Sequence, residues 1–195
     1  MFAPWRHLRK ALLVGAAVLA AASAPGAPPP EPVEPRVRSV AVGFRGQQLT
    51  VEAHVDPSPL PEVRERLSSG LPTTNAWEIR LYAAKDFWFD SLKDERKYEV
   101  TATYRPLNSD WLVEKRLDGK LLETRNFPTS SETEEALYHL PPFAAFTMGN
   151  HLVGKRLVVK VRCTYASGIV LGVVPVAIDT GWARSRVFVW PEERP

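Results

Sequence analysis

Residues 77–83, WEIRLYA, and 98–104, YEVTATY, decide the fold. In the first, Trp77, Ile79, Leu81 and Ala83 alternate with Glu78, Arg80 and Tyr82; in the second, Tyr98, Val100, Ala102 and Tyr104 alternate with Glu99, Thr101 and Thr103. Successive side chains on an extended chain point to opposite faces, so a period of two puts one set on a core and the other toward water. A sheet with one wet face is the habit of antiparallel strands. The same period returns at Val159, Val161, Cys163 and Tyr165, which alternate with Lys160, Arg162 and Thr164.

Outward from these strands the chain reads as hairpins. Val40, Val42 and Phe44 precede Gly46, and Leu49, Val51, Ala53 and Val55 follow it, which predicts two strands joined across Arg45-Gly46-Gln47. Residues 111–117 run into Asp118-Gly119 and return through 121–127, a dipeptide that suits a tight two-residue turn. Further strands are expected over 169–174 and 187–190. Two short helices interrupt the pattern. One is PEVRERLSS, where Val63 and Leu67 sit four apart and Gly70 stands where a helix would stop. The other opens on Ser131 and Glu134, spaced as a capping box, and cannot pass Pro141-Pro142. Phe143, Phe146 and Met148 are then expected in a loop that caps the core. The predicted class is all-β, mainly β with two short helices, arranged as an antiparallel β-sandwich or open barrel.

The N-terminus predicts export. Arg6, Arg9 and Lys10 form a basic n-region, residues 11–22 are apolar, and Ala20 and Ala22 satisfy the small-x-small rule for cleavage after Ala22. The apolar run is shorter than the roughly 20 residues a bilayer span needs, so no stable membrane span is expected after cleavage. Residues 23–35 read as a proline-rich linker: the polyproline II bias of PGAPPPEPVEP, 25–35, gives either a semi-rigid spacer of roughly 30 Å or a disordered tail left by processing. Residues 36–191 then form a single β-rich domain. The leader carries three of the 25 Lys/Arg and no acid, so its loss leaves 22 of each sign. A neutral chain without a long basic cluster lacks the electrostatic attraction behind most nucleic-acid affinity, and no nucleic-acid partner is expected. Cys163 is the only cysteine, so no intramolecular disulfide can form.

Nothing in the motifs predicts catalysis. Cys163 lies on the apolar face of an alternating strand, where a thiol behaves as a small hydrophobe. His54, His139 and His151 each lack a second His or Cys within five residues, a poor set for a metal; neither metal nor other cofactor is expected. Asp86 and Asp90, four residues apart, could be read as a glycosidase pair, but on an extended chain their backbones stand roughly 13 Å apart. Between them Phe87, Trp88 and Phe89 are consecutive, and a strand there would project large apolar groups from both faces. Either both faces are covered or one is a contact site. Phe87, Trp88 and Phe89, with Tyr82 and Arg80 nearby, are therefore the candidate binding residues, because rigid aromatics and arginine dominate contact surfaces. Trp77 is assigned to the core.

Four stretches carry a family resemblance: GLP at 70–72, KDFWFD at 85–90, TYRPLNSDW at 103–111 and NFPTSSETEEALYHL at 126–140. Together they are similar to the domain-of-unknown-function family numbered 4390, over residues 37–190. The resemblance implies an exported bacterial protein of the periplasm or cell envelope, in some cases encoded near a nitrogen-regulation-type sensor histidine kinase, and supplies no catalytic residues. The expected function is a non-catalytic binding module with an unknown envelope protein or small ligand as partner. The alternative is a periplasmic carrier of a lipid or glycan; an enzyme comes third.

Overall fold

The computed structural model describes residues 34–56, 61–86, 89–170 and 174–190. The expected leader at 1–22 and linker up to residue 33 lie outside them, as do Phe87 and Trp88. The elements are β1 (Arg36–Arg45), β2 (Gln48–Asp56), α1 (Pro61–Ser68), β3 (Thr73–Ala83), β4 (Ser91–Arg105), β5 (Asp110–Leu117), β6 (Lys120–Phe127), α2 (Ser130–Tyr138), β7 (His139–Thr147), a 3-10 turn (Asn150–Leu152), β8 (Arg156–Val170), β9 (Val174–Asp179), β10 (Ala183–Arg184) and β11 (Phe188–Val189).

Every strand pairing is antiparallel. A small sheet has the order β1-β2-β7, and a large one β10-β8-β3-β4-β5-β6, with β9 and β11 also on β8. The large sheet curls into a half-barrel, in keeping with the sandwich or open-barrel class read from the alternation. The inner faces of both sheets share one core: Leu49, Val51 and Val55 from β2, Trp77, Ile79 and Leu81 from β3, Val100 from β4, and Val159, Val161, Cys163 and Tyr165 from β8. Val63 and Leu67 of α1, and Leu137 and Tyr138 of α2, complete it. Trp77 is fully buried.

The turns follow from local chemistry. Asp118 and Gly119 both adopt positive φ, 49° and 79°, the geometry that lets a two-residue turn match the twist of its strands. α1 ends where Gly70, at φ 71°, lets its own N–H reach the Leu67 carbonyl and the Leu71 N–H reach that of Arg66, at 2.8 and 3.0 Å. Only glycine enters this left-handed conformation at no steric cost.

Three expectations are corrected. The cap of α2 lies two residues earlier than Ser131: Thr129 is the N-cap, and its Oγ1 accepts from the Glu132 N–H at 3.3 Å. Thr129 and Glu132 repeat the spacing of Ser131 and Glu134, so two frames competed, and the earlier one won directly after Pro128. Residues 139–147 form β7 and not a loop. Pro141 and Pro142 are tolerated because β7 is the edge of the small sheet and its pairing with β2 is interrupted by two register shifts. Phe146 and Met148 are buried, and Phe143 packs on Tyr98 with ring centroids 4.8 Å apart. Finally, the ends of the strand expected over 169–174 belong to two different strands, β8 running on to Val170 and β9 starting at Val174, with 171–173 outside the described residues, while 187–190 contributes only the two residues of β11.

Candidate functional site

The outer face of the large sheet is built by the polar half of the deciding alternation. Register sets Glu78 opposite Lys97 on β4 and Arg162 on β8, and Arg80 opposite Glu95 on β4 and Lys160 on β8. On the far edge of β8, Arg184 of β10 faces Lys160. Two transverse rows result. Lys97, Glu78 and Arg162 alternate in sign, whereas Arg80, Lys160 and Arg184 place three cations side by side on strands roughly 4.8 Å apart. Like charges directly opposite one another destabilise a sheet, so this second row needs counter-ions.

Acidic side chains supply part of that need. Glu78 accepts from Arg162 Nη2 at 2.7 Å and from Arg80 Nη2 at 3.5 Å, and Glu95 Oε2 lies 3.2 Å from Arg80 Nε. Lys160 Nζ pairs with Asp90 Oδ2 at 3.0 Å and stands 4.6 Å from the centre of the Tyr82 ring. The hydrogen bond from Lys160 holds the Asp90 carboxyl below its usual range, against the opposing effect of burial. Arg184 is exposed and makes no ion pair among the described residues.

Trp182 completes the face. It follows Gly181, at φ 65°, whose N–H donates to Asp179 Oδ1 at 2.8 Å in the turn before β10. The indole lies against two guanidiniums, with Arg80 Cζ 4.7 Å and Arg162 Cζ 4.8 Å from the ring centre. It is still 40% exposed. Beside Asp90, the Phe89 side chain is 88% exposed.

The structure thus brings Arg80 and Tyr82 onto one face and fixes the strand end next to Phe89, while Phe87 and Trp88 lie outside the described residues. Sequence reasoning missed Lys160, Arg162, Trp182 and Arg184. The first two were visible as the polar half of an alternating strand, but nothing local said that β8 would pair with β3. Arg184 depends on a strand of two residues, which has no periodicity to read.

Asp86 and Asp90 are engaged by different cations, Asp86 by Arg156 and Asp90 by Lys160. Those cations are four residues apart on β8, roughly 13 Å along the strand, so the carboxylates are drawn apart. Cys163 is fully buried, and burial pushes its thiol well above the ordinary range. The His54 and His139 rings face each other across β2 and β7 with centroids 5.9 Å apart and planes tilted by 58°, and Glu52 Oε1 lies 3.4 Å from His139 Nε2. No group of three or more His, Cys, Asp or Glu among the described residues is placed to hold a metal.

Against known families, the model of a domain of unknown function, DUF4390, matches residues 34–168. The chain belongs to the DUF4390 family. No curated protein and no solved structure matches it. The DUF4390 match stops short of the 37–190 expected, ending within β8, so Arg80, Tyr82, Lys160 and Arg162 fall inside it while Trp182 and Arg184 come from beyond it.

Proposed function

We propose that this chain is a non-catalytic interaction module of the bacterial cell envelope, exported by cleavage after Ala22, and that it engages an acidic protein partner through the outer face of β3, β8 and β10. The observation that carries the reading is the cation row Arg80, Lys160 and Arg184 with the half-exposed Trp182 beside it. Arg80 and Lys160 already hold acids of this chain, so the charge that favours a partner's carboxylate is that of Arg184 at the exposed end of the row, and an indole pre-positioned by two guanidiniums offers rigid contact area at little entropic cost. Trp, Tyr and Arg are the residue types that dominate contact energies. Export is supported by the basic n-region and apolar run of residues 1–22; among the described residues no helix is long and apolar enough to cross a membrane.

The test uses a photo-crosslinking residue at Tyr82 in living cells, with the same probe at Leu107, which is 99% exposed, as the comparison. The Tyr82 probe is expected to trap a defined acidic protein that the Leu107 probe does not. Adding Trp182→Ala should cut the adduct about thirtyfold, the equivalent of a 2 kcal/mol contact residue. No adduct above the Leu107 level would end the proposal.

A further inference from the structure

A second site lies elsewhere on the molecule, within the span that the family matches. Three stretches distant in sequence meet around a cleft of about 630 Å³: the C-terminal end of α1, the turn between β4 and β5, and the start of α2. They contain three of the four segments on which the family resemblance rests, GLP, TYRPLNSDW and NFPTSS. The volume falls within the roughly 300–1,000 Å³ of clefts that hold small ligands.

Its lining is chemically uniform: every side chain is uncharged, four are serines, and Tyr104 and Trp111 supply two rings whose centroids are 5.1 Å apart. The hydroxyls of Ser69, Ser109, Ser130 and Tyr104, and the indole N–H of Trp111, make no hydrogen bond to another described residue. Five polar groups are therefore uncommitted around one cleft. The charges next in sequence to the turn are spent on each other: Arg105 donates to Asp110 through Nε at 2.9 Å and Nη2 at 2.6 Å. That fork lowers the Asp110 carboxyl and raises the Arg105 guanidinium in pKa.

Each wall is also held in shape by local bonds. The Arg105–Asp110 fork closes the base of the turn and carries Ser109 in the left-handed region, at φ 55°, a conformation non-glycine residues seldom adopt. Gly70, which caps α1, lies beside Tyr104, where an added Cβ would make ordinary van der Waals contact with the ring at 3.5 Å. Arg66 Nη2 donates to the Pro72 carbonyl at 3.0 Å and fixes the link from α1 into β3. Thr129 caps α2 directly before Ser130. Walls fixed in advance lower the ordering cost of binding.

From these observations we infer that the cleft binds a neutral polyhydroxylated ligand, a short uncharged oligosaccharide segment, held by the serine hydroxyls and by ring contact with Tyr104. Ionic ligands have no counter-charge in the lining, and a purely apolar one would strand the five polar groups. The inference is independent of the contact-face reading, because the two sites share no residue.

The test is an amide NMR titration of the exported chain with maltotriose, cellotriose and triacetylchitotriose, and with trigalacturonate as the anionic comparison. At least one neutral trisaccharide should produce saturable shifts at Gly70, Ser109, Ser130 and the Trp111 indole, unchanged between 50 and 500 mM NaCl. Tyr104→Phe should weaken that binding several-fold and Ser130→Ala by a similar factor, each with an unchanged spectrum elsewhere, while Arg184→Glu leaves it unaltered. Absence of saturable shifts with all three neutral sugars would overturn the inference. So would a preference for trigalacturonate, shifts confined to the β3–β8 outer face, or saturation by a synthetic PGAPPPEPVEP peptide and not by sugars, which would make the cleft a proline-rich peptide groove.

Discussion

The two faces of β3 and β8 are made by the same residues counted one apart, yet they do different work. Inward, Trp77, Ile79, Leu81, Val159, Val161 and Cys163 are all at most 1% exposed. Outward, Glu78, Arg80, Lys160 and Arg162 are each about a third exposed and held by ion pairs, Glu78 to both Arg80 and Arg162, and Lys160 to Asp90. Burial of the first set stabilises the fold at about 25 cal/mol per Å² of apolar surface. Exposed ion pairs contribute about 0–1 kcal/mol each, so the second set adds little to stability for all its order. An ordered face that stabilises little is available for contact.

The largest expected difference tests this division directly. Trp77→Ala should lose about 3–5 kcal/mol by leaving a cavity the sheet cannot close, lowering Tm by roughly 10 °C at the 2–4 °C per kcal/mol typical of a domain of this size. Trp182→Ala, which removes an indole stacked on two guanidiniums at an exposed site, should cost about 1 kcal/mol or less. Thermal denaturation of the two variants side by side decides it; equal losses would mean that the outer face is structural after all.

A difference of reactivity comes next in size. The Cys163 thiol is raised in pKa chiefly by burial, and only the thiolate attacks alkylating reagents. Iodoacetamide at pH 8 should therefore leave native protein unlabelled for hours and label it within minutes in 6 M guanidinium, as followed by intact mass. Rapid labelling of the native chain would show that β8 opens to solvent and that its inner face is not the sealed core described above.

What was legible in the sequence divides along the same line. The Asp118-Gly119 dipeptide located the β5–β6 hairpin. Alternation located β3, β4 and β8 and assigned Trp77 and Cys163 to the inside, because a period of two is a local signal. It also showed which residues face out. It did not show which outward residues share a patch, since Arg80, Lys160 and Arg184 are neighbours through strand pairing across up to 104 positions of chain. β7 was hidden by prolines that normally argue against a strand but are admitted at an edge. The cleft was hidden for a different reason: its lining comes from helix ends and a turn, where serine, proline and glycine read as connection and carry no period. The segments that suggested the family were in view, but their meeting in space was not.

The smallest expected effect concerns the charge state of the outer face. Asp90 is held below its ordinary 3.8 first by the hydrogen bond from Lys160, with a lesser contribution from Arg184. A depressed carboxyl stabilises the folded form above its unfolded pKa and loses that contribution as pH falls through the folded value. Its influence is thus confined to pH below about 4, and at neutral pH Asp90 should remain an anion anchoring the strand end beside Phe89. Carboxyl NMR titration should give Asp90 a midpoint below 3.8, with Lys160→Ala restoring it toward that value and Arg184→Ala moving it less. A midpoint unmoved by Lys160→Ala would mean that the carboxylate is not part of the row, leaving Arg80, Lys160 and Arg184 with one counter-ion fewer and a stronger demand for an acidic partner.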